Sequence, residues 1–162
     1  TAITAGTEPD FFGSQMKILT GQQPELVTNG DFATDSGWSK QTGWTIANGK
    51  ANSAGSTGAV YQSKTYVSSK NYKVTYTISD YVSGSLRITW GNAAGVSNNG
   101  NGTFTEIISP TSGGNVMYMA AVGTFTGSID NVSVKLARAE EVEAVKCLAD
   151  WIHTTALQDL NN

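Results

Sequence analysis

Hydrophobic and polar side chains alternate with a period of two through the middle of the chain. The clearest run covers residues 72–78, where the apolar positions are Tyr72, Val74, Tyr76 and Ile78. A second run places Leu86, Ile88 and Trp90 on one face, with Arg87 and Thr89 on the other. This alternation is typical of strands that bury one face and expose the other.

Turn signals separate these runs at short intervals. Asn48-Gly49 follows the alternating pair Trp44 and Ile46, and this dipeptide is the strongest local signal for a hairpin. Ser83-Gly84 predicts another turn between strands. About eight or nine short strands with frequent turns, and no helical period between them, predict an antiparallel β-sandwich.

One strand, residues 116–122, is apolar on both of its faces and is therefore expected to be covered on both. Its Tyr118 is expected to face the core, as are Trp44 and Trp90. Met117 and Met119 would then lie on the opposite face, where they could line a groove or contact a neighbouring subunit.

The two ends of the predicted sandwich also match each other. Residues 25–28 read as a short strand that enters a turn at Asn29-Gly30, and Phe32 follows as an apolar anchor. Residues 129–135 read as the closing strand that pairs with this opening segment. The sandwich is therefore expected to span residues 25–136.

Residues 1–24 form a separate N-terminal arm without a helical or strand period. Its apolar clusters include Phe11, Phe12, Ile18 and Leu19, which would be exposed unless they dock on a surface. Two alternatives stay open: the arm packs on its own domain, or it reaches a neighbouring subunit.

From residue 137 the period changes to that of a helix. Apolar residues recur at spacings of three and four through 137–162, and this segment contains neither glycine nor proline. The pattern predicts a C-terminal α-helix whose stripe, including Val145, Leu148 and Ile152, docks on its own domain or on a neighbour.

Composition excludes several classes of function. Only 14% of residues are charged, the net charge is −3, and the pI of about 5.0 argues against nucleic-acid binding. No apolar run is long enough to span a membrane, and no secretion signal is visible at the start. Cys147 and His153 are the only thiol and imidazole, and on a helix they would lie about 240° apart. No catalytic residue is predicted, and the protein is expected not to be an enzyme.

Three motifs carry a resemblance to a known family. They are the segment 26–32 followed by Gly37-Trp38, the segment 44–51, and the closing segment 127–135. Residues 26–136 thereby resemble the jelly-roll carbohydrate-binding modules of the family 4 and 9 type. Domains similar to these also occur in structural proteins of tailed bacteriophages. The resemblance implies an all-β, antiparallel jelly-roll sandwich.

The resemblance further implies a structural calcium ion near the junction of the first and last strands. Asp31 and Asp130 are the matching acidic positions, and oxygen ligands suit calcium. Many relatives carry Glu after the motif phenylalanine, whereas this chain has Ala33. The alternative is that Asp31 caps a turn and Asp130 hydrogen-bonds to the backbone, with no cofactor bound.

Glycan binding would require exposed aromatic rings, because sugar C–H faces stack on them. Trp38, Tyr66 and Tyr81 lie near predicted turns and are the candidate platform residues. The alternative for each ring is ordinary packing.

Together these features predict a non-enzymatic virion protein of a tailed phage. We expect it to decorate the capsid as a homo-oligomer, with a trimer as one candidate state, and to contact other capsid or tail subunits through the arm and the helix. The second hypothesis is a glycan-binding module that acts in adhesion.

Overall fold

The computed structural model describes residues 23–139 and 141–142, and this part of the chain is an all-β, antiparallel fold. Its strands are β1 (Ser39–Lys40), β2 (Trp44–Ala47), β3 (Lys50–Ser56), β4 (Ala59–Ser63), β5 (Tyr72–Trp90), β6 (Ala93–Ala94), β7 (Gly102–Ile108) and β8 (Val116–Leu136). The predicted docking residues Phe11, Phe12, Ile18, Leu19, Val145, Leu148 and Ile152 lie outside the described residues, as do Cys147 and His153.

Two long strands, β5 and β8, organise the fold. They pair from Tyr72 opposite Leu136 at one end to Trp90 opposite Met117 at the other. Their register shifts near the middle, where Gly84 has a φ of 76°. The predicted turn at Ser83-Gly84 is therefore wrong: glycine there lets the strand bend sharply while it continues in the sheet.

The bend divides the sheet into two arms. In one arm, the order is β2-β3-β8-β5-β7, and it uses residues 125–136 of β8. In the other arm, the order is β1-β4-β8-β5-β6, and it uses residues 116–122 of β8. Both arms contribute to a single hydrophobic cluster, as in a sandwich-like or barrel-like fold.

The core confirms the predicted inward faces. The side chains of Tyr72, Val74, Tyr76, Ile78, Leu86, Ile88 and Trp90 are all buried. The ring centroids of Tyr72 and Trp90 lie 4.8 Å apart, so the two ends of β5 meet across the core. The hairpin at Asn48-Gly49 is also confirmed, because both residues have positive φ, 57° and 70°, as a type I′ turn requires.

The predicted faces of residues 116–122 are reversed. Met117 and Met119 are fully buried, whereas Tyr118 is half-buried on the outer face. Pairing with β5 decides this side, since Met117 lies opposite Trp90 and Met119 opposite Ile88. Both faces of this strand are apolar, so the local pattern could not distinguish them.

The opening and closing segments pair as predicted, although residues 25–28 do not form a regular strand. The Val132 amide donates to the Gly30 carbonyl at 2.8 Å, and the Leu26 amide donates to the Val134 carbonyl at 2.9 Å. A Cβ atom on Gly30 would lie 1.9 Å from the Val132 carbonyl oxygen. The close approach of the two backbones therefore requires glycine at this position.

A helical turn begins after β8. Ala139, Glu141 and Val142 are helical, and the amides of Glu141 and Val142 donate to the Arg138 carbonyl. The Glu141 carboxylate accepts a hydrogen bond from the Arg138 amide at 2.9 Å, which is one half of a capping box. The remainder of the predicted helix lies outside the described residues.

Candidate functional site

The chain enters and leaves the described body beside one cleft. This cleft has a volume of about 390 Å³ and lies over the outer face of β5 and β8. It is lined by Gln23, Lys73, Thr75, Ser133, Lys135, Leu136, Arg138 and Glu141. Gln23 is the first described residue at the end of the N-terminal arm, and Glu141 belongs to the first turn of the C-terminal segment.

Two glutamates, Glu141 and Glu25, fix the two chain ends beside this cleft through an ion pair and a hydrogen bond. Lys73 and Lys135 are direct cross-strand neighbours, an arrangement of like charges that is unfavourable without a counter-charge. The Glu141 carboxylate supplies one at 2.6 Å from Lys73. The Arg138 amide and then Lys73 lower the pKa of Glu141. On the other side, Glu25 accepts a hydrogen bond from the Val134 amide at 2.7 Å.

The structure does not place Trp38 on the surface, where a glycan platform would need it. Its side chain is only 6% exposed, and its indole N–H donates to the Asn29 carbonyl at 2.9 Å. The ring packs against Phe32 with the centroids 5.1 Å apart. For Trp38 the structure therefore matches the alternative of ordinary packing, because this ring closes the core over the opening segment.

Tyr66 and Tyr81 are half-buried and belong to two different aromatic contacts. Tyr66 packs edge-on against Trp90, and its hydroxyl donates to the Gly113 carbonyl. Tyr81 faces Phe125, and its hydroxyl donates to the Gly84 carbonyl. The three predicted platform residues therefore do not form one site.

A different aromatic pair lies on the outer face of the sheet arm that contains β1, β4 and β6. Tyr61 on β4 and Tyr118 on β8 are direct cross-strand neighbours, with ring centroids 5.1 Å apart. Both are half-buried. In the sequence, Tyr61 alternates with the polar residues Ser63 and Thr65, and this pattern is a signal that could have indicated an outward ring.

Beside Tyr61 lies a second cleft of about 400 Å³. It is lined by Thr28, Gly37, Trp38, Ser39, Tyr61, Gln62, Ser63 and Lys64. Hydroxyl, amide and ammonium groups thus line this cleft together with the side chains of Trp38 and Tyr61. We call this cleft together with the Tyr61–Tyr118 pair the tyrosine face.

Gln62 fixes the floor of this cleft. It is 4% exposed, and its amide binds the backbone of Thr28 twice, donating to the carbonyl at 2.6 Å and accepting from the amide at 3.3 Å. The Gln62 amide thereby pairs with the Thr28 backbone as a neighbouring strand would, and it holds the opening segment to β4.

We expect Gln62→Leu to lower the free energy of unfolding by about 1–3 kcal/mol, because it leaves both polar groups of Thr28 without partners. Urea denaturation followed by circular dichroism measures the change. The exposed neighbour Ser63→Ala serves as the control and is expected to change stability by less than about 0.5 kcal/mol. Equal stabilities of Gln62→Leu and the parent protein would contradict this role.

The two acidic residues assigned to calcium both make local hydrogen bonds. Asp31 accepts from the Ala33 amide at 3.4 Å, and Asp130 accepts from the amide of Asn131 at 2.6 Å. These are the kinds of contact expected in the alternative without metal. Within residues 23–139 and 141–142, no group of three or more His, Cys, Asp or Glu side chains could hold a metal ion. Calcium at Asp31 and Asp130 stays a prediction.

A half-buried acid lies on β7, at the open edge of the sheet arm that contains β2, β3 and β7. Glu106 on β7 accepts a hydrogen bond from the Val96 amide at 2.9 Å, while its second carboxylate oxygen is buried without a partner. Burial raises the pKa of Glu106 above its ordinary value. Nearby, burial raises the pKa of Tyr76 to about 12, and Asn98 donates to its hydroxyl at 2.8 Å.

The raised pKa of Glu106 gives a specific pH dependence. The folded protein holds the carboxyl proton of Glu106 more tightly than the unfolded chain does. The Glu106 carboxylate therefore destabilises the fold increasingly as pH rises through the folded-state pKa. Glu106→Gln keeps the acceptor for Val96 and removes the charge. We expect it to raise the melting temperature at about pH 7, with the gain shrinking toward about pH 4. A difference between the two proteins that does not vary with pH would contradict this assignment.

Comparison with known proteins adds no relative, since no protein-family model and no curated protein sequence matches the chain. Within the described part, no helix is long and apolar enough to cross a membrane.

Proposed function

We propose that this protein is a non-enzymatic structural component of a tailed-phage virion, in particular a capsid decoration protein. In this proposal, the β-body is a jelly-roll sandwich displayed outward. Residues 1–24 and 137–162 hold it on neighbouring subunits.

The position of the two chain ends is the observation that carries this proposal. Gln23 and Glu141 line the same cleft, so both extensions start from one side of the body. Segments that start side by side can engage one partner surface together, and the second contact then benefits from a high effective concentration. The opposite arm of the sheet would face away from that surface.

The jelly-roll assignment is supported by the resemblance of residues 26–136 and by the two bent strands. β5 and β8 each contribute to both arms of the sheet, so the arms face each other over one core. The residues of this core cluster all lie in the described part of the chain.

Removing residues 1–22 tests the docking role. The deletion ends before Glu25, whose carboxylate accepts hydrogen bonds from the Val134 amide and the Ser133 hydroxyl. We expect the full chain to form an oligomer, a trimer in the simplest case, and the deleted chain to stay folded as a monomer. Light scattering gives the mass, and circular dichroism reports the fold.

The double variant Phe11→Ala and Phe12→Ala tests whether the apolar side chains of the N-terminal arm are responsible. We expect it to weaken assembly, as the deletion does. An unchanged oligomeric mass after the deletion would refute docking by the arm. Absence of the chain from purified particles of the phage that encodes it, judged by mass spectrometry, would refute the virion role.

A second candidate function is glycan binding, and the tyrosine face favours it. Half-buried rings beside hydroxyl and amide groups are suited to stacking and hydrogen-bonding a sugar. We expect glycan-array binding to be lost in Tyr61→Ala and retained in Tyr81→Ala, whose ring faces Phe125. Retained binding in Tyr61→Ala together with lost binding in Tyr81→Ala would contradict a glycan site at the tyrosine face.

A further inference from the structure

The chain contains four asparagine–glycine dipeptides, and this dipeptide is chemically reactive. They are Asn29-Gly30, Asn48-Gly49, Asn99-Gly100 and Asn101-Gly102. In each, the glycine nitrogen can attack the carbonyl carbon of the asparagine side chain and close a ring, because glycine has no side chain to hinder the approach. Closure requires a free asparagine side chain, a free glycine amide and a change in the asparagine ψ angle. The fold decides which dipeptide meets these conditions.

Hydrogen bonds hold the Asn29 side chain at both ends of its amide. The Nδ2 group donates to the carbonyls of Thr34 and Ser36 at 2.7 and 2.8 Å, and Oδ1 accepts from the Thr34 amide at 3.3 Å. Gly30 is fixed as well, since its carbonyl accepts from the Val132 amide. Ring closure at Asn29 would have to break these hydrogen bonds first.

Strand pairing restrains the second dipeptide. Asn48 and Gly49 are the two loop residues of the hairpin between β2 and β3. The residues on either side of them, Ala47 and Lys50, are paired with each other. This pairing fixes the turn, so the ψ angle of Asn48 cannot change to that of a closed ring without opening the end of the hairpin.

Asn101 is held by a contact with β5. The Tyr81 amide donates to the Asn101 Oδ1 atom at 3.0 Å. The glycine that would attack, Gly102, is the first residue of β7 and lies opposite Ile78. Closure at Asn101 would therefore release the Tyr81 amide and distort the start of a paired strand.

Asn99 and Gly100 lack such restraints. Asn99 is exposed, and neither its side chain nor the Gly100 amide makes a hydrogen bond within the described part of the chain. No atom lies within 4 Å of the position that a Cβ atom would take on Gly100, so this side of the loop is open. The preceding residue is anchored, because Asn98 and Leu86 exchange two backbone hydrogen bonds of 2.8 Å. The dipeptide can therefore react while its surroundings keep their structure.

We infer that Asn99 is a site of spontaneous deamidation in the folded protein. The Gly100 nitrogen bonds to the Asn99 Cγ atom, the Cγ–Nδ2 bond breaks, and the side-chain nitrogen leaves as ammonia with the proton that the Gly100 nitrogen gives up. Water then opens the resulting succinimide at either of its two carbonyls, which gives aspartate or isoaspartate. One neutral amide thus becomes a carboxylate, and each conversion adds a negative charge to a chain whose net charge is −3.

Ageing of the full chain in mildly alkaline buffer tests this assignment. Chymotrypsin cleavage after Trp90 and Phe104 releases residues 91–104, and tandem mass spectrometry locates the converted asparagine. We expect conversion at Asn99 to be at least about tenfold faster than at Asn29, because several hydrogen bonds must open before Asn29 can react. We also expect both aspartate and isoaspartate at Asn99, since a succinimide opens in two directions.

Two controls separate the fold from the local chemistry. In guanidinium chloride the four dipeptides are chemically alike, so we expect their conversion rates to become similar once the protein is unfolded. Asn99→Gln retains an exposed amide, but glutamine would have to close a larger and slower ring. We expect this variant to have the circular dichroism spectrum of the parent protein and to lose the conversion at position 99.

Three results would overturn the inference. Native conversion at Asn29, Asn48 or Asn101 that is as fast as at Asn99 would contradict selection by the fold. The same ranking in the unfolded chain would assign the selectivity to neighbouring residues in sequence. Aspartate without isoaspartate at Asn99 would exclude the cyclic route. None of these results bears on the virion or glycan-binding proposals.

Discussion

Replacing Gly30 with alanine is expected to lower the free energy of unfolding by about 3 kcal/mol or more. The added methyl group would lie 1.9 Å from the Val132 carbonyl oxygen and 3.0 Å from its carbon. Neither atom can move as a flexible side chain would, because both belong to the backbone of β8. The opening segment would have to separate from β8 and lose the hydrogen bond from the Val132 amide.

Gly114→Ala is the matched control for this prediction. No atom lies within 4 Å of a Cβ at Gly114, and its φ is not in the left-handed region. Both variants make the same change in the entropy of the unfolded chain, so the difference between them isolates the steric conflict. Urea denaturation of the three proteins measures it. Equal midpoints for the two variants would show that the opening segment does not need this close contact.

The second large effect is expected from Trp90→Ala. Trp90 is fully buried, and it contacts Tyr72 and Tyr66 at the place where the two arms of the sheet meet. Truncation of such a ring in a packed core costs about 3–5 kcal/mol. Its indole N–H also donates to the Lys64 carbonyl at 2.9 Å, which ties the end of β4 to β5.

Trp90→Phe separates the two contributions. It retains a ring against Tyr72 but leaves the Lys64 carbonyl without its donor, so we expect a smaller loss, about 1–3 kcal/mol. Circular dichroism in urea measures both variants without relying on tryptophan fluorescence. A loss below about 1 kcal/mol in Trp90→Ala would mean that the two arms do not depend on this contact.

Local pattern was sufficient for much of the fold. Strict alternation at 72–78 predicted which side chains are buried, because a strand with one polar face can turn only one way. The same logic placed Trp44 and Ile46 inside and predicted the hairpin at Asn48-Gly49. The pairing of residues near Gly30 with those near Val132 was also anticipated, from the matching motifs at the two ends.

The candidate sites were less predictable. Trp38 stands beside a glycine in a polar stretch, yet the Asn29 carbonyl and Phe32 draw it into the core. Both partners lie close in sequence, but only the folded opening segment turns their groups toward the ring.

The buried side of β8 was also not predictable from the sequence. Residues 116–122 are apolar on both faces, so their composition is compatible with either orientation. Pairing with Trp90 and Ile88 on β5 selects Met117 and Met119 for the core and leaves Tyr118 outside, beside Tyr61.

Alternation within one strand is therefore encoded locally, because it needs only the order of apolar and polar residues. The side taken by an apolar strand, the continuation of β5 through its bend, and the shared cleft of the two chain ends all depend on contacts between residues distant in sequence. These features follow from packing and register, and only the tertiary structure specifies them.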